Sequence, residues 1–177
     1  MKPLRPILAL ALATFTLAAF AQSDAQKSFT QLKSLAGSWK GKVTMEPPMP
    51  NGGSDAILDL NLRVTSRGNA LVHEMYEPGK ADDPAHFDHP VTMFYLDSDK
   101  LYLMHYCDAG NRPRMTARSS DGKTVEFDFV DVTGNLKYGH MAHALFTFID
   151  ADHHTEDWTF MMPGDKPMHA HMTLERK

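Results

Sequence analysis

One cysteine, Cys107, stands in 177 residues, so no internal disulfide can form and the fold has to rest on packing. Nothing beside Cys107 marks it as an activated thiol, and it reads as a half-buried small apolar residue. Basic charge is not in excess: 18 Lys and Arg stand against 22 Asp and Glu, which argues against nucleic acid or an anionic membrane as a partner. Tryptophan is scarce, with only Trp39 and Trp158. Also missing are a Gly-x-Ser-x-Gly elbow, a phosphate-cradling glycine loop and a cysteine–histidine pair in the context of a nucleophile. The usual sequence marks of an enzyme are therefore absent. Neither an internal repeat nor a low-complexity tract is present.

Long apolar runs are confined to the N-terminus. Lys2 and Arg5 precede an apolar stretch from Ile7 to Phe20, which closes on Ala19-Phe20-Ala21. A basic start, an apolar middle and a small-x-small end predict a signal peptide over 1–21, cleaved near Ala21. The stretch falls short of the ~20 apolar residues that span hydrocarbon. Cleavage leaves 156 residues, about one domain, and removes two positive charges for a net charge of −6. The expected product is periplasmic or secreted, with no membrane insertion after cleavage, and is a monomer or homodimer.

What remains is dominated by a period of two. Ala56, Leu58, Leu60, Leu62 and Val64 alternate with polar residues, Ile57 being the exception. Val125, Phe127 and Phe129 repeat the pattern, as do Trp158, Phe160 and Met162, and then Ala170, Met172 and Leu174. Turn signals such as Asp97-Ser98-Asp99, Ser120-Asp121-Gly122 and Pro163-Gly164-Asp165 fall between these runs, with longer loops at 47–53 and 77–90. Phe29, Leu32 and Leu35 recur at helical spacing, which predicts a helix over about 24–36, capped by Asp24 or Ser28 and ended by Gly37. The segments 91–96, 101–106 and 144–149 are apolar on both faces and need cover on each. Closure also removes exposed strand edges. The fold class predicted is all-β: an up-and-down antiparallel barrel of about 8–10 strands, with one short N-terminal helix plugging an end. With about ten strands its interior should exceed what side chains fill and leave room for a small molecule.

Gly37-x-Trp39-x-Gly41 on the first strand, with Arg176 at the end of the last, resembles the calycin group of lipocalins, fatty-acid-binding proteins and related heme-binding barrels. The segment from Phe29 to Gly41, and the run from Phe148 to His153 ahead of Trp158, resemble small exported bacterial proteins of lipocalin-like fold, a domain of unknown function. The resemblance implies a lipocalin-like domain over 22–177. It also implies that Trp39 lies over the closed end with Arg176 stacked on it, a structural closure of the barrel rather than a ligand contact.

Histidine is the next residue type with chemical reach, at ten copies. His169-x-His171 shares a strand face with Glu175, at ~6.6 Å per two residues, and superficially resembles a cupin metal motif. The apolar residues Ala170, Met172 and Leu174 occupy the other face, so this pair should point to solvent. His140 and His143, three apart on a strand, should face opposite ways, and His153-His154 reads as a solvated turn. His73 and His105 differ because each interrupts an apolar face: Leu71, His73, Met75 and Leu101, Leu103, His105. Aligned registers would bring His73, Tyr95 and His105 into one lumen. Arg112, Arg114 and Arg118 share a face opposite Met115 and Ala117; this favours solvent over an inward carboxylate clamp.

These observations predict a binding protein more readily than an enzyme. Its partner would be a small apolar or amphipathic molecule held by His73, Met75, Met93, Tyr95, His105, Met115, Phe127, Phe129, Trp158 and Met172. The alternatives are a barrel enzyme with internal His and Tyr acid–base groups, or a heme- or copper-binding protein, the latter suggested by twelve methionines among the histidines. No catalytic residue, metal ligand or cofactor is assigned.

Overall fold

The computed structural model describes residues 22–48, 55–118 and 120–177. The predicted signal peptide, 1–21, and most of the 47–53 loop lie outside the described residues.

A single helix, α1 (Asp24–Ser34), precedes ten strands: β1 (Gly37–Glu46), β2 (Asp55–Thr65), β3 (Ala70–Tyr76), β4 (Val91–Asp97), β5 (Lys100–Tyr106), β6 (Asn111–Ala117), β7 (Thr124–Gly134), β8 (His140–Phe148), β9 (His153–Met162) and β10 (Lys166–Arg176). Each strand pairs antiparallel with its neighbours in sequence, and β1 pairs with β10 to close the barrel. The helix starts one residue earlier than its predicted caps. Ser23 is the N-cap, and its hydroxyl accepts from Gln26 N while the Gln26 side chain accepts from Ser23 N. The helix ends at Leu35, and Gly37, at φ 141°, makes the change of direction into β1 two residues later.

Because the strands alternate up and down, one end of the barrel carries the start of β1 and the end of β10. This is the end that α1 covers. Phe29, Leu32 and Leu35 from the helix join Trp39 in the core, and the Trp39 indole N–H donates to Leu35 O at 2.8 Å. Arg176 lies over the Trp39 ring at 4.1 Å and donates to Ala36 O at 3.0 Å and Ala151 O at 2.9 Å. Gly41 is required by close approach, since a Cβ there would stand 2.6 Å from Thr173 O and from a Leu174 methyl. Replacing Arg176 with alanine removes the stack and these hydrogen bonds together. It is expected to cost about 1–2 kcal/mol, read as a lower urea midpoint, and lysine should recover only part of it.

The lower part of the interior departs from the prediction of surplus room. Phe94, Phe127, Phe146, Leu60, Leu103 and Met115 are fully buried in one cluster that fills the barrel above Trp39. Aromatic rings supply the volume that ten strands enclose: Phe94 lies 5.6 Å from Phe127 and 5.5 Å from Phe146, centroid to centroid.

Candidate functional site

Strand alternation on β9 puts His154, Glu156, Trp158 and Phe160 on the inner face, ordered from the helix-covered floor to the open mouth. His73 on β3 pairs with Thr92 on β4, which pairs with His105 on β5, so these three also share the inner face in one row. The polar groups of column and row meet in the middle of the barrel.

Glu156, at 0% exposure, is the hub. His73 Nε2 donates to its carboxylate at 3.0 and 3.1 Å, His154 Nε2 at 3.1 Å and the Trp158 indole N–H at 2.9 Å. Burial alone would raise the Glu156 pKa, but the His73 charge and the hydrogen bonds from His154 and His73 outweigh it and hold the carboxyl below the usual carboxylate range. His154 also stands edge-on to Trp39, with ring centroids 4.3 Å apart, which ties the network to the floor. His73 is 0% and His154 1% exposed, and the Nδ1 atom of each is buried without a hydrogen-bond partner. A carboxylate with three donors sealed in the core is a structural ion cluster. It cannot touch a ligand.

His105 lies nearer the mouth. Its Nδ1 is 2.8 Å from Thr92 Oγ1, and burial, with the His73 charge adding to it, pushes its pKa down to about 3. The ring is therefore neutral across the physiological range. It lines a pocket of about 330 Å³ at the mouth, together with Met45, Met75, Met141, Trp158, Phe160, Met168 and Ala170. Asp88 and Pro90, from the 77–90 loop, and Cys107 and Asp108, after β5, form the rim. Burial raises the Cys107 thiol pKa, which keeps it protonated and apolar in character.

Of the ten predicted lumen residues, His105, Met75 and Trp158 line this pocket. His73, Met115, Phe127 and Met172 face inward but are part of the packed interior. Met93 and Tyr95 do not face the lumen. On β4 the buried positions are Thr92 and Phe94, so the odd positions point outward, where Tyr95 stacks on Tyr102 at 5.9 Å. The predicted meeting of His73, Tyr95 and His105 is thus replaced by His73, Thr92 and His105. Phe129 is 40% exposed and lies against His140; it sits at the irregular step of the β6–β7 ladder, past the last pair of β7 with β8 at Asp128.

The remaining histidines divide similarly. His169 and His171 face solvent as expected, beside Thr159 at 3.0 Å and Asp157 at 2.6 Å. His140 and His143 pair with Met161 and Thr159, two residues apart, so an irregularity after Met141 puts them on the same side rather than opposite sides. His153 is exposed and bonded to Asp150, but His154 is not solvated, because β9 already begins at His153 and alternation turns the next residue inward. Glu126, Asp128 and His143 come together on the outer face, where Arg118 already bonds both carboxylates. Arg114 pairs there with Asp131 at 2.5 Å, so no arginine clamp forms in the lumen.

Sequence reasoning puts Glu156 on a strand, as it does Glu74 and Asp157, but spacing alone does not pair it or place it in the lumen. The signal is its parity with Trp158, on a strand whose alternation marks it as half-buried. What could not be read was that His73 and His154, from strands far apart in the chain, would neutralise a carboxylate there.

No known family profile matches the chain, and no curated protein matches it. Among solved structures it is similar to a protein of unknown function from the DUF3598 family of Nostoc punctiforme, with 12% identity and a TM-score of 0.45, covering 83% of this chain and 49% of that one. The chain thus spans about half the length of that protein.

Proposed function

We propose that this chain is an exported, calycin-like carrier that holds a small apolar or amphipathic molecule at the mouth of its barrel. The observation that carries the reading is the open pocket of about 330 Å³, lined by methionine and aromatic side chains with His105 as its deepest polar group. Its size and its ratio of apolar wall to polar anchors suit a small organic ligand. Methionine side chains can adjust to several ligand shapes, which fits a carrier of modest selectivity. The Trp39–Arg176 stack at the helix-covered end supports the calycin reading. Export rests on the segment 1–21, and among the described residues no helix is long and apolar enough to cross a membrane.

Decanol, a neutral ten-carbon alcohol, is a suitable probe, followed through the fluorescence of Trp158 at the pocket wall. Binding should be saturable, and Ala170→Phe, which places a ring in the pocket, should weaken it at least about tenfold, equivalent to roughly 1.4 kcal/mol. Failure to bind, or equal binding by the variant, would overturn the reading. Native mass spectrometry of the protein from periplasmic extract reads retained ligand, oligomeric state and removal of 1–21 in one measurement.

The heme or copper reading has one residue in its favour. His105 is neutral and its Nε2 has no protein hydrogen-bond partner, the state in which imidazole ligates a metal. A Soret band or stoichiometric copper on purification would favour it over an organic ligand.

A further inference from the structure

The mouth pocket has charge of one sign only. Among the described residues that line it there are two carboxylates, Asp88 and Asp108, and neither lysine nor arginine. The loop that supplies Asp88, residues 77–90, carries Glu77, Asp82, Asp83 and Asp88 against one lysine, Lys80, whose ammonium sits 4.2 Å from the centre of the Phe87 ring. A carboxylate ligand would meet repulsion at this rim and find no counter-charge inside it.

Asp88 is also short of compensation. Its Oδ1 accepts from Asp108 N at 3.1 Å. Burial and the adjacent Asp108 charge nevertheless raise its pKa, against the opposing pull of backbone N–H groups and His89. His89 packs its ring on Tyr76 at 5.1 Å, and neither of its ring nitrogens makes a hydrogen bond, so it does not cap the Asp88 carboxylate. Of the two causes, the Asp108 charge acts on any cation: the second carboxylate that draws a proton to Asp88 also draws an ammonium to the same rim.

Deeper in the same pocket, His105 supplies an independent pointer to a ligand. The ring is 1% exposed, Nδ1 is engaged by Thr92, and Nε2 has no hydrogen-bond partner and is not among the fully sealed nitrogens, so it opens on the pocket. Trp158 adds an aromatic wall beside it, 5.6 Å from the His105 ring. Aromatic faces attract cations and tolerate apolar bodies equally well.

We propose that the mouth pocket selects a cationic amphiphile, an amine on an apolar body, over the carboxylate of the same length. The ammonium lies at the rim with Asp88 and Asp108, and the apolar body runs inward toward Trp158 and His105. This rests on the binding function proposed above and names the class of its ligand.

Calorimetric titrations with decylamine, decanol and decanoate, at pH 8 and low salt, test it. Decylamine should bind about tenfold or more tightly than decanoate, with decanol between them. The double variant Asp88→Asn, Asp108→Asn keeps an acceptor oxygen at each site and should bring amine and carboxylate within about threefold of each other. Decanoate binding as tightly as decylamine overturns the proposal, and so does a preference that the double variant leaves intact, since that would come from the net charge of the protein and not from the rim. If decanol binds and the amine is not preferred, only the charge selection fails. If none of the three binds, the binding reading fails with it.

Discussion

Replacing Glu156 with alanine is expected to lower the unfolding free energy by about 3–5 kcal/mol, the typical cost of leaving a buried charge without its partner. His73 and His154 would keep their positions against the packed aromatics with no acceptor between them, and the Trp158 indole N–H would lose its only hydrogen bond. The loss belongs to the broken pair more than to the value of the pair itself, because desolvating a complete ion cluster also costs free energy. That distinction is measurable. Urea unfolding of Glu156→Ala, His73→Phe and the double variant forms a cycle in which the double variant should be more stable than the sum of the single losses predicts, by about 1–3 kcal/mol. Additive losses would show that His73 and Glu156 do not act as a unit.

The second large effect is on acid stability, and its source is His105. The folded-state pKa of its ring is about 3, against 6.5 for the free side chain. Below 6.5 the unfolded chain therefore binds a proton that the folded chain refuses, so this contribution is fully present above pH 6.5 and is lost as the pH falls. The slope approaches about 1.4 kcal/mol per pH unit once the pH is well below 6.5, and the loss between pH 6.5 and 4.5 comes to about 2 kcal/mol. Glu156, also depressed in the folded state, adds a further loss once the pH falls below the ordinary glutamate range. Unfolding free energies measured from pH 7.5 to 4.5 should thus fall more steeply for the wild type than for His105→Gln. Parallel curves would mean that the imidazole is protonated in the folded barrel. His105→Gln should also weaken decanol binding, because the same ring lines the pocket.

Much of the architecture was legible in the sequence because burial on one face writes a period of two. The alternation of Leu58, Leu60 and Leu62, of Val125 and Phe127, and of Met172 and Leu174 assigned strand faces that the barrel keeps. Turn residues at each junction gave the up-and-down order, and with it closure through β1 and β10. The interior position of His73 and His105 followed from the same rule, since each interrupts an apolar face. The rule failed at Tyr95, where both faces of the strand are apolar and the pattern has no preferred phase; there, pairing with Ala70 and Tyr102 on neighbouring strands decides the outward direction. It failed again at His140 with His143, where an irregularity in the ladder shifts the phase by one residue, and at Phe129, which keeps the phase of Phe127 but lies past the end of the β7–β8 pairing.

The sequence by itself determined the strands, their order and the inward turn of His73 and His105, because these depend on neighbours within a few residues of one another. Only the tertiary structure decided what those inward groups meet. The contact between His73 and Glu156 crosses 83 residues of chain. The division of the lumen into a filled lower part and a mouth pocket depends on how Phe94, Phe127 and Phe146 share one volume. The acidic rim forms because the loop carrying Asp88 folds over the end of β5, where Asp108 follows it. Local periodicity sets the direction in which a side chain points, whereas electrostatic pairing and cavity volume depend on groups that closure of the barrel brings together.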